Sequence, residues 1–258
     1  MLLALPVGLL IGLSLGALGG GGSILTVPAL VYLLGESTHS ATTTSLIIVG
    51  ITAIFGAAAH MRAGRVRARA GIVFGILGAG GAFAGSRLSA SINSNVLLLA
   101  FSVLMTGVAI MMLRRRGGGT SKRPRPASVH SASPTSPIRV VIAASVVGLV
   151  TGFFGVGGGF VVVPALVLAL GFDMPVAVGT SLVVIAINSA SSLLSRIGTH
   201  ATINPGLVIV FTAASIGGTL AGTRIASKSK PERLTGAFAM LMIAVALYTA
   251  ARSIPSLV

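Results

Sequence analysis

The sequence predicts an all-α integral membrane protein built from two homologous halves. Three observations favour this fold class: 54% of the 258 residues are hydrophobic, 8% are charged, and long uncharged runs fill most of the chain. A soluble domain carries roughly 25% charged residues, so this chain has too few to cover a water-facing surface. The composition therefore excludes the soluble enzyme classes.

The uncharged runs predict membrane-embedded helices. A bilayer core of about 30 Å needs roughly 20 apolar residues of helix to cross it. The runs lack the alternation typical of barrel strands, and a helix satisfies its own backbone in lipid. Charged residues separate eight such runs, which are residues 1–35, 37–61, 70–86, 88–113, 140–172, 174–195, 197–223 and 234–251.

A polar segment divides the runs into two groups. Residues 114–139 are rich in Gly, Pro and Ser and carry seven basic residues. We predict a flexible linker between one membrane repeat, residues 1–113, and a second, residues 140–258. Basic clusters bind nucleic acid or anionic lipid in some proteins, but here we interpret the cluster as a topology signal. It predicts a cytoplasmic linker, with contacts to membrane lipid and no nucleic-acid partner.

The two membrane halves are related by sequence. Residues 15–49 match residues 151–185 at a constant offset of 136, and residues 81–87 match residues 218–224 at an offset of 137. The matched positions include glycines, a proline and a Thr-Ser-Leu tripeptide. Internal duplication of this kind is typical of secondary transporters.

The basic residues favour inverted halves over parallel ones. Eight ordinary crossings would place 13 basic residues inside and 5 outside. If runs 1–35 and 140–172 instead enter and return on one side, as half-helices broken at their glycines, the count becomes 15 against 3. The second arrangement follows the positive-inside tendency better and makes the repeats inverted.

Two glycine clusters lie inside hydrophobic runs, GGGGS at 19–23 and GVGGG at 155–159. A helix that restarts after such a break points free amide groups and its positive dipole end at the gap, which suits an anion. We expect Ser23 to cap the first restarted helix. The alternative is that the glycines only allow close helix packing. The predicted binding residues here are Gly20, Gly21, Gly22, Ser23, Gly157, Gly158 and Gly159.

Hydroxyl and amide side chains follow each glycine cluster. The Thr-Ser-Leu tripeptides place Thr44 and Ser45 in one half and Thr180 and Ser181 in the other. Such hydroxyls bind an oxyanion or simply bond to neighbouring helices, and both interpretations stay open. Asn188 is the most polar side chain of its run, so we expect it to line a cavity.

The remaining polar residues narrow the function. The three acids, Glu36, Asp173 and Glu232, lie in loops or at run ends, so we expect no metal site, no cofactor and no cation substrate. We interpret His60 as a satisfied interfacial residue rather than a proton carrier. His39 is expected in a loop. Nothing in the sequence indicates catalysis.

At these motifs the chain resembles the sulfite exporter TauE/SafE family of membrane permeases. The resemblance lies in a glycine cluster, a proline and a Thr-Ser-Leu element that occur in each half. It implies transport of a sulfur-containing oxyanion such as sulfite or an organosulfonate across the inner (plasma) membrane of a bacterium. The anion would bind at the glycine loops and Thr-Ser-Leu elements. The chain departs from the family pattern at Ser23, which stands opposite Gly159, and at Thr43, which stands opposite Gly179.

The sequence thus predicts a multi-pass permease that carries a small organic or inorganic anion by alternating access. Two alternatives remain at this stage. One is a passive anion channel, which the lack of proton-carrying acids favours. The other is a non-transporting membrane scaffold whose linker recruits partners. A homo-oligomer is compatible with each of the three.

Overall fold

The computed structural model describes residues 3–89, 94–117, 137–154, 159–197 and 203–253. Within these ranges the chain forms helices and contains no strand, which confirms the predicted all-α class. The helices are α1 (Ala4–Leu18), α2 (Gly21–Tyr32), α3 (Thr38–Arg62), α4 (Ala68–Ser89), α5 (Ser94–Gly117), α6 (Pro137–Phe154), α7 (Gly159–Ala169), α8 (Met174–Ser195), α9 (Pro205–Lys228) and α10 (Pro231–Ser253).

Several helices are long and apolar enough to cross a bilayer. Among the described residues these candidate spans lie in α3, α4, α8, α9 and α10. Helices α1 and α2 are apolar but shorter, because the predicted run 1–35 is split at its glycines. The chain is therefore a membrane protein with multiple candidate spans.

Capping residues, rather than charges, set where several helices begin and end. The Asn204 side chain accepts a hydrogen bond from the Leu207 amide at 3.2 Å, so α9 starts at Pro205. The helix then continues past Arg224, which is exposed. The helix therefore begins later and ends later than the predicted run 197–223, so both predicted boundaries were wrong. In α3 the Ser37 hydroxyl caps the first turn, which places His39 in the helix and not in a loop.

The predicted linker lies largely outside the described residues. Helix α5 extends to Gly117 and α6 begins at Pro137, so helix covers both ends of residues 114–139. The remainder of that segment, residues 118–136, is not described. Its role as a linker stays a prediction.

Helix α1 packs along α9, and α6 packs in the same way along α4. A Cβ at Gly12 or Gly16 would overlap the backbone of Ser215 or Thr219. In the other pair, a Cβ at Gly148 or Gly152 would overlap the backbone of Gly78 or Ala82. Small residues of this kind let helix backbones approach closely within a membrane.

Helix directions follow from which residues face one another. In α3 and α8, Gly50 faces Ser189 and Gly56 faces Leu182, so the order of facing residues is reversed along the two chains. These helices therefore run antiparallel. Gly22 of α2 packs against Leu15 of α1, and the two helices share a buried hydrophobic cluster, so they form a hairpin.

The α3–α4 and α9–α10 connections meet at one end of the bundle. The Arg65 guanidinium donates to the Ser227 carbonyl at 3.2 Å. The Arg67 amide donates to the Thr180 hydroxyl near the start of α8 at 3.1 Å. We call this the basic end, because its two connections and flanking helix ends carry Arg62, Arg65, Arg67, Arg69, Arg224, Lys228, Lys230 and Arg233.

The close α1–α9 and α4–α6 packing generates a test with neighbouring glycines. A Cβ on Gly81 would overlap the Ser145 carbonyl, and one on Gly218 would overlap the Leu9 carbonyl. A Cβ on the adjacent Gly80 or Gly217 would meet nothing within 4 Å. We expect Gly81→Ala and Gly218→Ala each to lower the free energy of unfolding by about 1–3 kcal/mol.

The matched controls are Gly80→Ala and Gly217→Ala. These changes fill open space and improve helix propensity, so stability should stay equal or rise by up to about 1 kcal/mol. Thermal unfolding of purified protein in detergent measures all four variants. Equal melting temperatures for the two members of either pair would contradict the packing described here.

Candidate functional site

The first glycine cluster separates α1 from α2 at a buried position. Helix α1 ends at Leu18 and α2 begins at Gly21, and the intervening Gly19 has a φ of +66°. A Cβ on Gly19 would lie 2.6 Å from the Ser181 hydroxyl oxygen of α8. Only glycine meets both demands, because L-residues with a side chain disfavour positive φ. The helix break at Gly19 therefore packs directly against Ser181, one of the predicted binding residues.

The start of α7 meets the start of α2 inside the protein. A Cβ on Gly159 would overlap Gly20 and would lie 2.8 Å from the Ser23 hydroxyl oxygen. All three residues are buried. The two helices that restart after the glycine clusters therefore begin beside each other in the interior, as an anion site between them requires.

The N-terminus of α2 carries no side-chain cap. Its N-cap residue is Gly20, and Gly21, Gly22 and Ser23 in the first turn are buried. The expectation that Ser23 caps this helix was wrong, because the helix already begins two residues earlier. The Ser23 hydroxyl instead donates back to the Gly20 carbonyl at 2.8 Å. Backbone amides at such a terminus form a positive, hydrogen-bond-donating surface suited to an anion.

The serines of the two Thr-Ser-Leu elements are held in the same way. Ser45 donates to the Thr42 carbonyl at 3.2 Å, and Ser181 donates to the Val178 carbonyl at 2.8 Å. Both side chains are completely buried. Each hydroxyl oxygen is held within its own helix. Rotation of the hydroxyl about the Cβ–Oγ bond would redirect its proton from the carbonyl toward a bound anion.

The threonines of these elements have different surroundings. The Thr180 hydroxyl accepts a hydrogen bond from the Arg67 amide at the basic end, so it anchors the α3–α4 connection. The Thr44 hydroxyl is buried and lies close to the Glu36 carboxylate, which follows α2. The Thr-Ser-Leu elements are therefore not equivalent in their contacts, although their sequences are identical.

Asn188 lies within the packed helices. Its side chain is 0% exposed, and neither amide atom has a hydrogen-bond partner within the described ranges. A Cβ on Gly78 of α4 would lie 3.3 Å from its Oδ1 atom. An unsatisfied buried amide costs free energy, so a polar group that binds there would be stabilised.

Two predicted binding residues, Gly157 and Gly158, lie outside the described residues together with residues 155 and 156. The described residues on either side are Phe154, the last residue of α6, and Gly159, the first residue of α7. The structure leaves the role of these two glycines as a prediction.

One polar residue that the sequence did not single out is Arg196, just after α8. Its guanidinium donates to hydroxyls of α3 and α4 while the side chain is half-buried. Burial lowers the pKa of Arg196, yet an arginine starts so far above neutrality that it stays charged. In the sequence, Arg196 is the charged residue that separates the uncharged runs 174–195 and 197–223. The signal that could have found it is the excess of Ser and Thr in the helices around it.

Metal ligands are not clustered in the described part of the chain. No group of three or more His, Cys, Asp or Glu side chains that could hold a metal ion occurs there. The candidate site therefore consists of backbone amides, hydroxyls and an amide side chain.

Known proteins resemble this chain over nearly its whole length. The family model described as sulfite exporter TauE/SafE matches residues 4–249. A probable membrane transporter protein of Xylella fastidiosa strain Temecula1 is 35% identical over 261 residues, which covers 100% of this chain and 98% of that protein. The probable membrane transporter protein YdhB of Bacillus subtilis is 27% identical over 190 residues, or 71% and 74% of the two chains. No solved structure gives a significant match.

The contact between Gly19 and Ser181 can be tested by paired substitutions. We expect Gly19→Ala to destabilise the protein by about 1–3 kcal/mol more than Gly35→Ala. Both glycines have positive φ, but a Cβ on Gly35 would meet nothing within 4 Å. Adding Ser181→Ala to Gly19→Ala removes the opposing oxygen and should restore part of the loss.

Thermal unfolding in detergent measures these variants. Equal destabilisation by Gly19→Ala and Gly35→Ala, with no recovery in the double variant, would show that the break does not press on α8.

Proposed function

This chain belongs to the sulfite exporter TauE/SafE family, and from that premise we propose that it is a permease for a small sulfur-containing oxyanion such as sulfite or a sulfonate. The observation that carries the proposal is the meeting of two restarted helices, α2 at Gly20 to Ser23 and α7 at Gly159, within the protein interior. Two positive helix ends directed at one region attract an anion without a charged side chain.

The chemistry of the site favours an oxyanion over a cation. Backbone amides and serine hydroxyls donate hydrogen bonds to anionic oxygens. The carboxylates of the chain belong to Glu36 in the α2–α3 connection, Asp173 at the N-cap of α8 and Glu232 in the first turn of α10. A cation carrier generally needs an acidic side chain within the membrane, and these positions do not supply one.

We propose that the halves are inverted and that the basic end faces the cytoplasm. Helices α3 and α8 occupy matching positions in the two halves, and their antiparallel packing supports inversion. The bond between Arg65 and Ser227 supports placing both arginine-rich connections on one side of the membrane. In this orientation the positive-inside tendency is satisfied at a bacterial inner membrane.

We propose alternating access about the helix breaks. Helix α1 lies along α9, and α6 lies along α4, so each half shares its longest contacts with the other. Rigid separation of the two sequence halves would break those contacts. Movement of α2 and α7 about the glycine breaks that precede them would expose the site to each side while α1 stays packed on α9 and α6 on α4.

A passive anion channel is the second candidate. The positions of Glu36, Asp173 and Glu232 at helix ends favour it over proton-coupled transport, because none of them relays protons across the bilayer. A channel shows flux that does not saturate with substrate, whereas a permease shows a defined KM. Deleting residues 118–136 separates both from a scaffold, because only a scaffold would depend on the linker.

Uptake into liposomes tests the permease directly. Purified protein should take up sulfite with saturation, and Gly159→Val should reduce uptake at least about 100-fold because its side chain would occupy the space beside Gly20 and Ser23. Gly107→Val is the matched control, since a Cβ there would meet nothing within 4 Å. The detergent melting curve of each variant shows whether it is folded.

Full sulfite uptake by folded Gly159→Val protein would overturn the assignment of the site. Parallel uptake assays with methanesulfonate, sulfate and chloride, with and without a pH gradient, identify the preferred anion and any proton coupling.

The role of the serine hydroxyl forms a separate prediction. Ser181→Ala removes a donor beside the break at Gly19, so the KM for sulfite should rise about 3-fold to 10-fold. An unchanged KM would show that Ser181 only packs against Gly19. Ser227→Ala serves as the control, because its exposed hydroxyl bonds within α9 at the basic end.

A further inference from the structure

A completely buried histidine joins α3 to α1 near the basic end. The side chain of His60, in the last turn of α3, is 0% exposed, and its Nε2 atom lies 2.8 Å from the Gly16 carbonyl oxygen of α1. A carbonyl oxygen can only accept a hydrogen bond, so Nε2 carries the shared proton. The contact therefore fixes which ring nitrogen of His60 holds the hydrogen.

This hydrogen bond belongs to the first helix break. Helix α1 ends just before Gly19, and the last four carbonyls of a helix have no partner within it. The Gly16 carbonyl is one of these groups, and His60 supplies it with a donor. The histidine also packs against α8, because a Cβ on Gly179 would lie 3.1 Å from the His60 Cβ atom. His60 thus borders the candidate site, since Ser181, on the next turn of α8, contacts Gly19.

The other ring nitrogen of His60 lacks a partner. Its Nδ1 atom is buried and forms no hydrogen bond within the part of the chain that the structure describes. In a neutral imidazole with its hydrogen on Nε2, Nδ1 holds a lone pair that can bind a proton. The interpretation of His60 as a satisfied interfacial residue was therefore wrong, because one nitrogen of a buried ring is unpaired.

The charged groups around His60 are positive or exposed wherever the structure describes them. Helices α1, α2 and α8 contain no charged residue. The Arg65 amide donates to the His60 carbonyl at 3.0 Å, which brings a positive charge to this turn, and the Nη1 atom of Arg65 is buried without a hydrogen-bond partner there. The other charged residues on or next to the ends of α3, α4, α8 and α9 have exposed side chains here, and they are Arg62, Arg67, Arg69, Asp173, Arg224 and Lys228.

These surroundings decide when a proton can bind. A positive charge buried without a negative partner costs free energy. The chain places no buried carboxylate among the described groups facing His60, so the compensating charge has to enter from outside. An oxyanion at the helix break supplies that charge.

We propose that Nδ1 of His60 is a proton-binding site that fills together with the transported oxyanion, which makes the permease a proton–anion symporter. The inference rests on the proposed anion transport and adds its coupling ion. Nδ1 takes the proton with its lone pair, the ring becomes an imidazolium, and the Nε2 hydrogen bond to Gly16 is kept. The negative charge of the oxyanion compensates the new positive charge. Release of the anion removes that compensation, so the proton leaves with it.

Anion binding by the unmodified protein tests this coupling first. Methanesulfonate is the probe, because a sulfonate stays ionised over the range in which histidine titrates, about pH 5 to about pH 8. Its apparent Kd is measured from the rise in melting temperature in detergent. The Kd should increase with pH by up to about 10-fold per unit, because each bound anion takes up one proton. A Kd that does not change with pH would overturn the inference without any variant.

Two substitutions on α3 assign the proton to His60. His60→Gln keeps a side-chain amide that can donate to the Gly16 carbonyl but binds no proton, so its Kd for methanesulfonate should become independent of pH. That Kd should lie within about 3-fold of the value for the unmodified protein at about pH 8. His39→Gln is the matched control, because His39 is exposed in the first turn of the same helix, and it should keep the original pH dependence. Equal pH dependence in folded His60→Gln and the unmodified protein would show that His60 only holds α1 in place, and would overturn the inference.

Transport by the full chain in liposomes gives a second readout. Methanesulfonate uptake by the unmodified protein and by His39→Gln should rise when the outside is acidic, and it should acidify the lumen, as an enclosed pH-sensitive dye reports. Uptake by His60→Gln should not respond to the pH gradient. Sulfite is assayed in parallel, since the protons that sulfite carries itself are the same for every variant.

The outcomes separate the coupling from the transport. Saturable uptake without proton entry in the unmodified protein would overturn the inference and leave the proposed permease in place. Absence of saturable uptake of both sulfite and methanesulfonate in the unmodified protein would instead refute the proposed function itself.

Discussion

The structure depends on one constraint, that a helix interrupted inside a membrane must shield the backbone groups released by the break. Lipid offers no hydrogen bonds, so irregular backbone survives there only where protein or a watery cavity surrounds it. The break at Gly19 meets this demand by lying against α8 at Ser181, and the start of α2 lies against Gly159 of α7. The same burial leaves the amides of α2 directed into the protein rather than into lipid.

Close helix packing makes that burial possible. The hairpin of α1 and α2 is held because α1 approaches α9 through Gly12 and Gly16. Interhelical hydrogen bonds add to this contact, since Ser215 donates to the Gly8 carbonyl at 3.0 Å and Thr219 donates to the Gly12 carbonyl at 2.9 Å. The corresponding contact of α6 with α4 uses Gly148 and Gly152 but places Gly78 and Ala82 in the positions of the two hydroxyl residues. The two contacts therefore share their geometry and differ in their hydrogen bonding.

Much of the fold could be predicted from the sequence, because hydropathy and glycine spacing are local properties. Glycine spacing predicts the interruption of run 1–35. Hydropathy predicts that the Thr-Ser-Leu elements lie in helices, which are α3 and α8. Helix ends were less predictable, since the Asn204 cap and the continuation of α9 past Arg224 depend on details other than charge. The specific contacts of Arg196 could not be predicted, because its partners on α3 and α4 are more than 100 residues away along the chain.

The central claim is that the start of α2 is a polar, anion-accessible surface inside the membrane. Because the chain contains no cysteine, single cysteines report accessibility without background. The most direct measurement is the labelling of Ser23→Cys with a negatively charged maleimide, with Ile54→Cys as a control whose side chain is 59% exposed on the apolar span α3. We expect Ser23→Cys to be labelled and methanesulfonate to protect it, while Ile54→Cys in lipid is not labelled. A folded Ser23→Cys protein that resists labelling as completely as Ile54→Cys would contradict the account.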